Sequence, residues 1–467
     1  MNNRIECYIA QVLQSVKCKK VHRQISDELQ SHICDLSDEY QEQGFSLEEA
    51  QHRAIASMGD ASTVGELLNQ QHKPQMGWGI LLLTMAASLF GILVMCIPQY
   101  PGRQGGSLGK TLFFIAVGIP LLLGTYFFDY SKLKKYPIYF YIGGMLLTAL
   151  CGLFGDSVTG IRSYLSIGRI NLYVPGCLVV LYMLAFCGFI DRFQNQGIWG
   201  ICKLLILGGI SLLGFIVFPC ISYAAFLGIA YALVLLKAAH SNQFSSNGKQ
   251  SFYCLLIFFA AFSIFSILFV FAVSPYRVQR LLLFFEHGAS DALNSGWIYM
   301  ISHKILQASH WLGQSTPLPE GNVGWIMPDL TEDFALLNII SNYGWAYGVI
   351  VMIVASALIL RMFTMSFRVQ YSFGRNLSLG CCVLLSIQFI CNILMNVGWF
   401  PIIRVTLPFI SSGGSLYLVN IFLVGIILSV WRQNKILNWD DNSSRKTDRK
   451  RITFENKKLV IDFGTED

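Results

Sequence analysis

Asp329, Glu332 and Asp333 crowd three carboxylates directly before an apolar run that begins at Phe334. A carboxyl held at such a border, beside a polar cavity and partly stripped of water, has its pKa raised toward that of a general base. Its chemistry would be to take a proton from a sugar hydroxyl. The same stretch also suits a first helical turn, where Thr331, Glu332 and Asp333 would favour the positive end of the helix dipole. Arg277 and Arg280, in SPYRVQR, are three residues apart and so share one helical face, and Arg404 lies in a later loop. Such guanidinium groups serve either as interfacial anchors or as a bidentate grip on a phosphate or pyrophosphate. A third constellation is LPFISSGGSLYLVNIF, Leu407 to Phe422. Ser411, Ser412, Gly413, Gly414 and Ser415 open a helix there with exposed amides and hydroxyls, which offer donors to an anion. The segment reads equally as a plain loop followed by a small-residue helix contact. His303 and His310, seven residues apart, read as headgroup contacts rather than metal ligands.

These groups need a scaffold, and composition says which kind. Of 467 residues, 54% are hydrophobic and 13% charged, about half the charge of an ordinary soluble domain. That excludes a water-soluble globule with one large core. Apolar runs of about 18 to 27 residues recur from Met76 to Trp431, each long enough to cross about 30 Å of hydrocarbon as a helix. Ten spans are expected, roughly at 77–97, 112–128, 137–154, 172–190, 198–218, 220–237, 252–273, 334–360, 377–397 and 414–431. The expected fold class is therefore all-α, a polytopic membrane protein with about ten transmembrane helices.

The net charge of +7 does not point to nucleic acid, because the basic residues sit mostly in loops and tails beside apolar spans. Lys132, Lys134 and Lys135 in one connection, Arg361, Arg368 and Arg375 in another, and the basic tail fall on one side if the span count is even. The positive-inside rule then places both termini in the cytoplasm of a multi-pass plasma-membrane protein. The thirteen cysteines include no CxxC pair or zinc spacing and read as small buried hydrophobes.

Three regions follow: a small helical cytosolic domain over 1–75, a transmembrane domain over 76–434, and a basic polar cytosolic tail over 435–467. In the first, Ile5, Ile9, Leu13 and Val16 share one helical face, and Ile25, Leu29, Ile33 and Leu36 a second. Ser46-Leu47-Glu48-Glu49 is a capping box, with Ser46 accepting from the Glu49 amide and Glu49 reaching back. In the second, the connection 274–333 is long, carries Trp297, Trp311 and Trp325, and includes GWIYMISHKILQASHWLG. A re-entrant or interfacial helix packed against the bundle mouth is expected there.

Taken together, these residues resemble the SEDS family of shape, elongation, division and sporulation proteins, the FtsW/RodA/SpoVE group. The family's closing signature is matched by Gln388, Asn392-Ile393, Asn396-Val397-Gly398, Pro401 and the run from Leu407 to Ser415. Its LPExHTDFIF is similar to the segment from Met327 to Phe334, which places the family's essential aspartate on Asp333. SPYRVQRLLLFF and TGIRSYLSIGRINL resemble two further family segments, so the likeness covers about residues 77 to 434. Residues 1 to 73 are similar to a helical prefix domain found ahead of some Gram-positive membrane proteins, through Glu28-Leu29, His32-Ile33, Tyr40, Gly44 to Ala50 and Met58-Gly59-Asp60.

The resemblance implies a peptidoglycan glycosyltransferase that polymerises lipid II at the outer face of the membrane, releases undecaprenyl pyrophosphate and works in cell shape, division or sporulation. Asp333 would be the base. Arg277, Arg280 and Arg404 would neutralise phosphate, and Glu332, Gln388, Asn396 and Ser411 to Ser415 would bind substrate. A divalent cation, Mg or Mn, would assist, and a class B penicillin-binding transpeptidase would be the partner. The chain departs from the pattern at Tyr173 to Val180, at Pro219-Cys220-Ile221-Ser222, at Ser341-Asn342 and at Ser412, where neutral groups stand for an acid, a lysine and other polar residues. Two alternatives follow from these departures: a non-catalytic lipid-binding scaffold or regulator, and a flippase for a lipid-linked precursor.

Overall fold

The computed structural model describes residues 3–71, 75–97, 108–158, 161–167, 170–216, 220–244, 248–273, 284–285, 297–318, 330–444, 452–455 and 458–461. The chain forms two compact units, Met1–Met76 with Arg432–Asp467, and Gly77–Trp431.

The first unit holds α1 (Asn3–Ser15), α2 (His22–Glu42), α3 (Leu47–Met58) and α4 (Ala61–Gln71). Their apolar stripes close into one core of Ile5, Ile9, Val12, Ile25, Ile33 and Met58. Ser46 caps α3 by accepting from the Glu49 amide at 3.4 Å, and the return contact of Glu49 is to the Ser46 hydroxyl at 3.1 Å. Asp60 caps α4, accepting from the amides of Ser62 at 3.1 Å and Thr63 at 3.2 Å. Bonds from the Ser62 hydroxyl and then the Thr63 amide hold this carboxyl below its ordinary range. In the tail, β4 (Ile452–Glu455) and β5 (Lys458–Ile461) pair antiparallel.

The described residues of the second unit are mostly helical: α5 (Trp78–Met95), α6 (Leu108–Phe127), α7 (Pro137–Phe154), α8 (Val174–Arg192), α9 (Gly197–Leu213), α10 (Ile221–His240), α11 (Gly248–Val273), α12 (Trp297–Ala308), α13 (Ala335–Tyr343), α14 (Trp345–Phe367), α15 (Ser372–Asn396) and, as far as Trp431, α16 (Gly414–Ser444). Among the described residues, eight helices are long and apolar enough to cross a membrane, while α9 and the Ser251–Phe262 stretch of α11 are shorter apolar helices. Burial separates the centre of the bundle from its rim. The apolar window of α8 is 89% buried and that of α15 72%, against 11% for α6. Leu112, Phe113, Ile119, Leu123 and Phe127 of α6 point outward instead. Such a surface would be costly in water and matches lipid.

Two features depart from the sequence expectation. The span expected at 334–360 is broken into α13 and α14 at Gly344, whose φ is +99°. A Cβ there would meet the Trp311 carbonyl at 2.6 Å, so only glycine fits both the backbone angle and the close approach. Residues 310–315 bond across the break: Gly313 N donates to Tyr343 O at 3.1 Å, Ser315 N to Ser341 O at 2.8 Å and Trp345 N to His310 O at 3.0 Å. The helix expected in the long connection is α12, and it packs Ile301 and Ile305 against Phe334, Leu337 and Met395.

The second departure is a small antiparallel sheet between α7 and α8, formed by β1 (Asp156–Val158), β2 (Ile161–Ile167) and β3 (Ile170–Tyr173) in that order. Tyr164 lies opposite Tyr173 and Ile167 opposite Ile170. At the other end of the bundle, Lys134 Nζ pairs with Asp191 at 2.9 Å and donates to Tyr371 Oη at 3.1 Å. Burial alone would lower the pKa of Lys134, but its bonds to Asp191 and Tyr371 outweigh that and raise it.

Candidate active site at the sheet-bearing end of the bundle

Residues 330–334 form a turn that leads into α13, with Asp333 half-buried and Glu332 exposed. Phe334 takes the capping position of α13 and makes no side-chain cap bond. The acids therefore precede the capping position rather than occupying it. What fixes them is a set of hydrogen bonds from two other elements.

Asn392 and Asn396 lie one turn apart on α15, and both are fully buried. Each donates to the carbonyl of Asp333, at 2.9 and 3.0 Å. Asn392 also donates to Val405 O at 2.6 Å, and Asn396 to Asn392 O at 2.9 Å. Asn396 Oδ1 in turn accepts from the Leu337 amide at 3.0 Å. A buried amide bonded on every side is stiff, because leaving any of its partners unpaired in the interior is expensive.

The serine-rich loop grips the two preceding residues of the same turn. Ser411 Oγ donates to Glu332 O at 2.6 Å and accepts from the Leu407 amide at 2.8 Å. The Ser412 amide donates to Thr331 O at 2.8 Å, and its hydroxyl to Thr331 Oγ1 at 3.2 Å. Ser415 Oγ accepts from the Tyr173 amide at 3.2 Å, which ties the end of β3 to the start of α16. Gly414 lies flat against the Phe114 ring, where any side chain would collide, whereas Gly413 has only ordinary contacts. Just before these serines Phe409 takes φ +68°, with its ring 6.2 Å from those of both Phe389 and Tyr417. Positive φ at a bulky residue costs about 1–3 kcal/mol, which such packing must offset.

Electrostatics place Arg404 and the sheet in this neighbourhood. Tyr164 is pushed up to about 12, first by burial and then by the charge of Glu332, with Arg404 opposing and Asp333 adding to the rise. Arg404 also acts on Cys220, whose thiol is raised mainly by burial. Tyr223 lies close enough to feel the Asp333 carboxylate.

The structure thus gathers Glu332, Asp333, Asn396, Arg404 and Ser411 to Ser415. Arg277, Arg280 and Asp329 lie outside the described residues. Gln388 sits deeper in α15, where it donates to Leu384 O of its own helix at 3.2 Å and leaves Oε1 buried without a partner. Ser341 and Asn342 form a neutral network with Asn338 inside α13. Among the described residues no three His, Cys, Asp or Glu side chains are grouped to hold a metal ion. The sequence alone offered no role for Asn392, Tyr164 or Tyr173, and gave Thr331 only a place in a first helical turn. The four-residue spacing of the asparagines, which puts both on one helical face, was the available signal.

Comparison with known proteins identifies the family and the fold. The profile of the FTSW_RODA_SPOVE family, described as cell cycle protein, matches residues 75–436. A probable peptidoglycan glycosyltransferase FtsW of Coxiella burnetii is 27% identical over 394 residues, covering 77% of this chain and 98% of that protein. Peptidoglycan glycosyltransferase MrdB of Escherichia coli K12 is 25% identical over 371 residues, covering 77% and 94%. Among solved structures, a chain from a peptidoglycan synthase complex that coordinates polymerization and crosslinking superposes with a TM-score of 0.64 at 18% identity, over 76% of this chain and 98% of that one. The rod shape determining protein RodA of Thermus thermophilus gives 0.52 at 16% identity, over 76% and 97%. With the profile spanning most of its length, the chain belongs to the FtsW/RodA/SpoVE family of cell cycle proteins.

Proposed function

We propose that this protein is a peptidoglycan glycosyltransferase of cell wall synthesis that polymerises lipid II. The observation that carries the reading is the half-buried Asp333, whose carbonyl accepts from two buried asparagines while Ser411 and Ser412 hold the carbonyls of the two residues before it, Glu332 and Thr331. In the reaction a sugar hydroxyl of one lipid-linked disaccharide attacks the anomeric carbon of another, and undecaprenyl pyrophosphate leaves with inversion. Asp333 takes the proton of the attacking hydroxyl. Arg404 supplies positive charge toward the departing pyrophosphate, with Arg277 and Arg280 as further candidates from sequence. Glu332 and Asp333 would offer hard carboxylate oxygens to a magnesium or manganese ion. Such an ion would supply further charge neutralisation at the diphosphate.

Lysines at the end of the bundle opposite the sheet support an orientation with both termini cytoplasmic and the Asp333 site on the outer face. A penicillin-binding transpeptidase is the partner, a reading supported by the similar chain's place in a peptidoglycan synthase complex. The test is polymerisation of labelled lipid II by purified protein together with its transpeptidase. Wild type should make glycan strands and Asp333→Ala none; equal product from both removes Asp333 from the mechanism. The neutral groups at Cys220, Ser341 and Asn342 favour a second reading, a non-catalytic scaffold, which requires Asp333→Ala to complement a deletion strain.

A further inference from the structure

Three tyrosines form a ladder that runs from the bundle interior toward the turn that carries Asp333. Tyr223, on α10, is buried at 4% exposure. Its ring lies 5.4 Å from that of Tyr173 at a tilt of 59°, and Tyr173 lies 5.1 Å from Tyr164 at 54°. The middle rung is fixed at both ends: the Tyr173 amide bonds Ser415, and its hydroxyl lies 3.6 Å from Cys220 Sγ. The strand register sets the outer rung, because Tyr164 on β2 faces Tyr173 on β3. Tyr164 is half-buried and lies where the charges of Glu332, Asp333 and Arg404 all act on it.

We propose that Tyr164, backed by Tyr173 and Tyr223, is a carbohydrate-stacking surface beside the Asp333 turn that receives a pyranose ring of the lipid-linked substrate. The inference rests on the glycosyltransferase reading and names the part of the substrate that this surface contacts. A pyranose presents one face of C–H groups above a rim of hydroxyls, so it needs an electron-rich apolar plate with polar groups around it. An aromatic ring is negative on its face and positive at its edge. A phenol adds a polar tip, and Tyr is a large contact surface with only two side-chain torsions to order. A lipid tail would have no use for two carboxylates and a guanidinium around its binding plate, and a phosphate would gain nothing from a neutral ring. With its pKa raised to about 12, the Tyr164 hydroxyl stays protonated at physiological pH and can donate to a sugar hydroxyl.

The experiment uses the full chain with its transpeptidase and labelled lipid II, comparing Tyr164→Ala, Tyr164→Phe and Tyr164→Trp. Tyr164→Ala should raise KM about three- to tenfold with a smaller change in kcat, while the two aromatic variants stay within about twofold of wild type. A structural defect would instead lower kcat and thermal stability in all three. A second arm needs no turnover: in an Asp333→Ala background, Tyr164→Trp adds an indole whose emission should shift on adding lipid II but not undecaprenyl pyrophosphate, which has no sugar. An unchanged KM for Tyr164→Ala, or equal shifts with both lipids, overturns the stacking surface. Failure of wild type to make glycan sinks the glycosyltransferase reading instead, and the fluorescence arm still decides whether Tyr164 meets a sugar.

Discussion

Removing the Asn396 side chain tests how Asp333, the proposed base, is held. Asn396→Ala deletes the donor to Asp333 O at 3.0 Å and the acceptor of the Leu337 amide at 3.0 Å, together with its link to Asn392. Asp333 O keeps the bond from Asn392 at 2.9 Å, but the Leu337 amide is left buried with no partner. An orphaned interior amide costs about 1–3 kcal/mol, and the lost bonds about 1 kcal/mol more, so the variant should be destabilised by about 2–4 kcal/mol. With one tether gone the turn can shift, and a misplacement of about 1 Å costs about 100-fold in rate. Because Asn396 is fully buried, the loss should fall on kcat rather than KM. Asn396→Asp keeps the acceptor for Leu337 but turns an oxygen toward two carbonyls, so it should do no better. The assay is lipid II polymerisation alongside a thermal midpoint in the same detergent. Asn396→Ala polymerising within about twofold of wild type at an unchanged midpoint would refute the clamp.

Two further outcomes are expected. Lys134→Met strands Asp191, whose side chain is only 8% exposed, and should destabilise by about 1–3 kcal/mol, a discounted figure because Lys134 itself reaches solvent; Lys134→Met with Asp191→Asn should recover most of this, and equal midpoints for single and double variants would remove the ion pair from the account. The depressed pKa of Asp60 means that its cap stabilises α4 above the ordinary carboxylate value and is lost as pH falls through the lower folded value. Hydrogen-exchange protection of residues 61–71 in the full chain should therefore weaken as pH falls below the ordinary carboxylate range in wild type and change less in Asp60→Asn.

Much of the scaffold was legible because its signals are local or long-range only along the chain. The N-terminal stripes of Ile5, Ile9, Ile25 and Ile33 and the Ser46 cap follow from helical period and hydrogen-bond reach, and the membrane spans follow from apolar length. The break at Gly344 was not legible: Phe334 to Leu360 carries no charged residue, and it is the backbone angle and the approach of the Trp311 carbonyl that demand a glycine there. The sheet was missed because Ile161 to Tyr173 is short and lies between two stronger helical signals. At the site, motif spacing gathered Asp333, Asn396 and Ser411 to Ser415, yet their division of labour depends on tertiary contacts. Hydroxyls that read as donors to an anion are engaged in bonding Thr331, Glu332 and β3.

The tethers from Asn392, Asn396 and Ser411 to residues 332 and 333 end on peptide carbonyls, which are present whatever side chain stands at position 333. An alanine there should silence the protein without altering its silhouette. In a cell carrying both alleles, the mute copy would compete with the working one for assembly slots and slow growth in proportion to gene dosage. A variant that loses the asparagine grip would be misshapen and recessive, so dominance in a merodiploid would separate a missing proton acceptor from a collapsed frame.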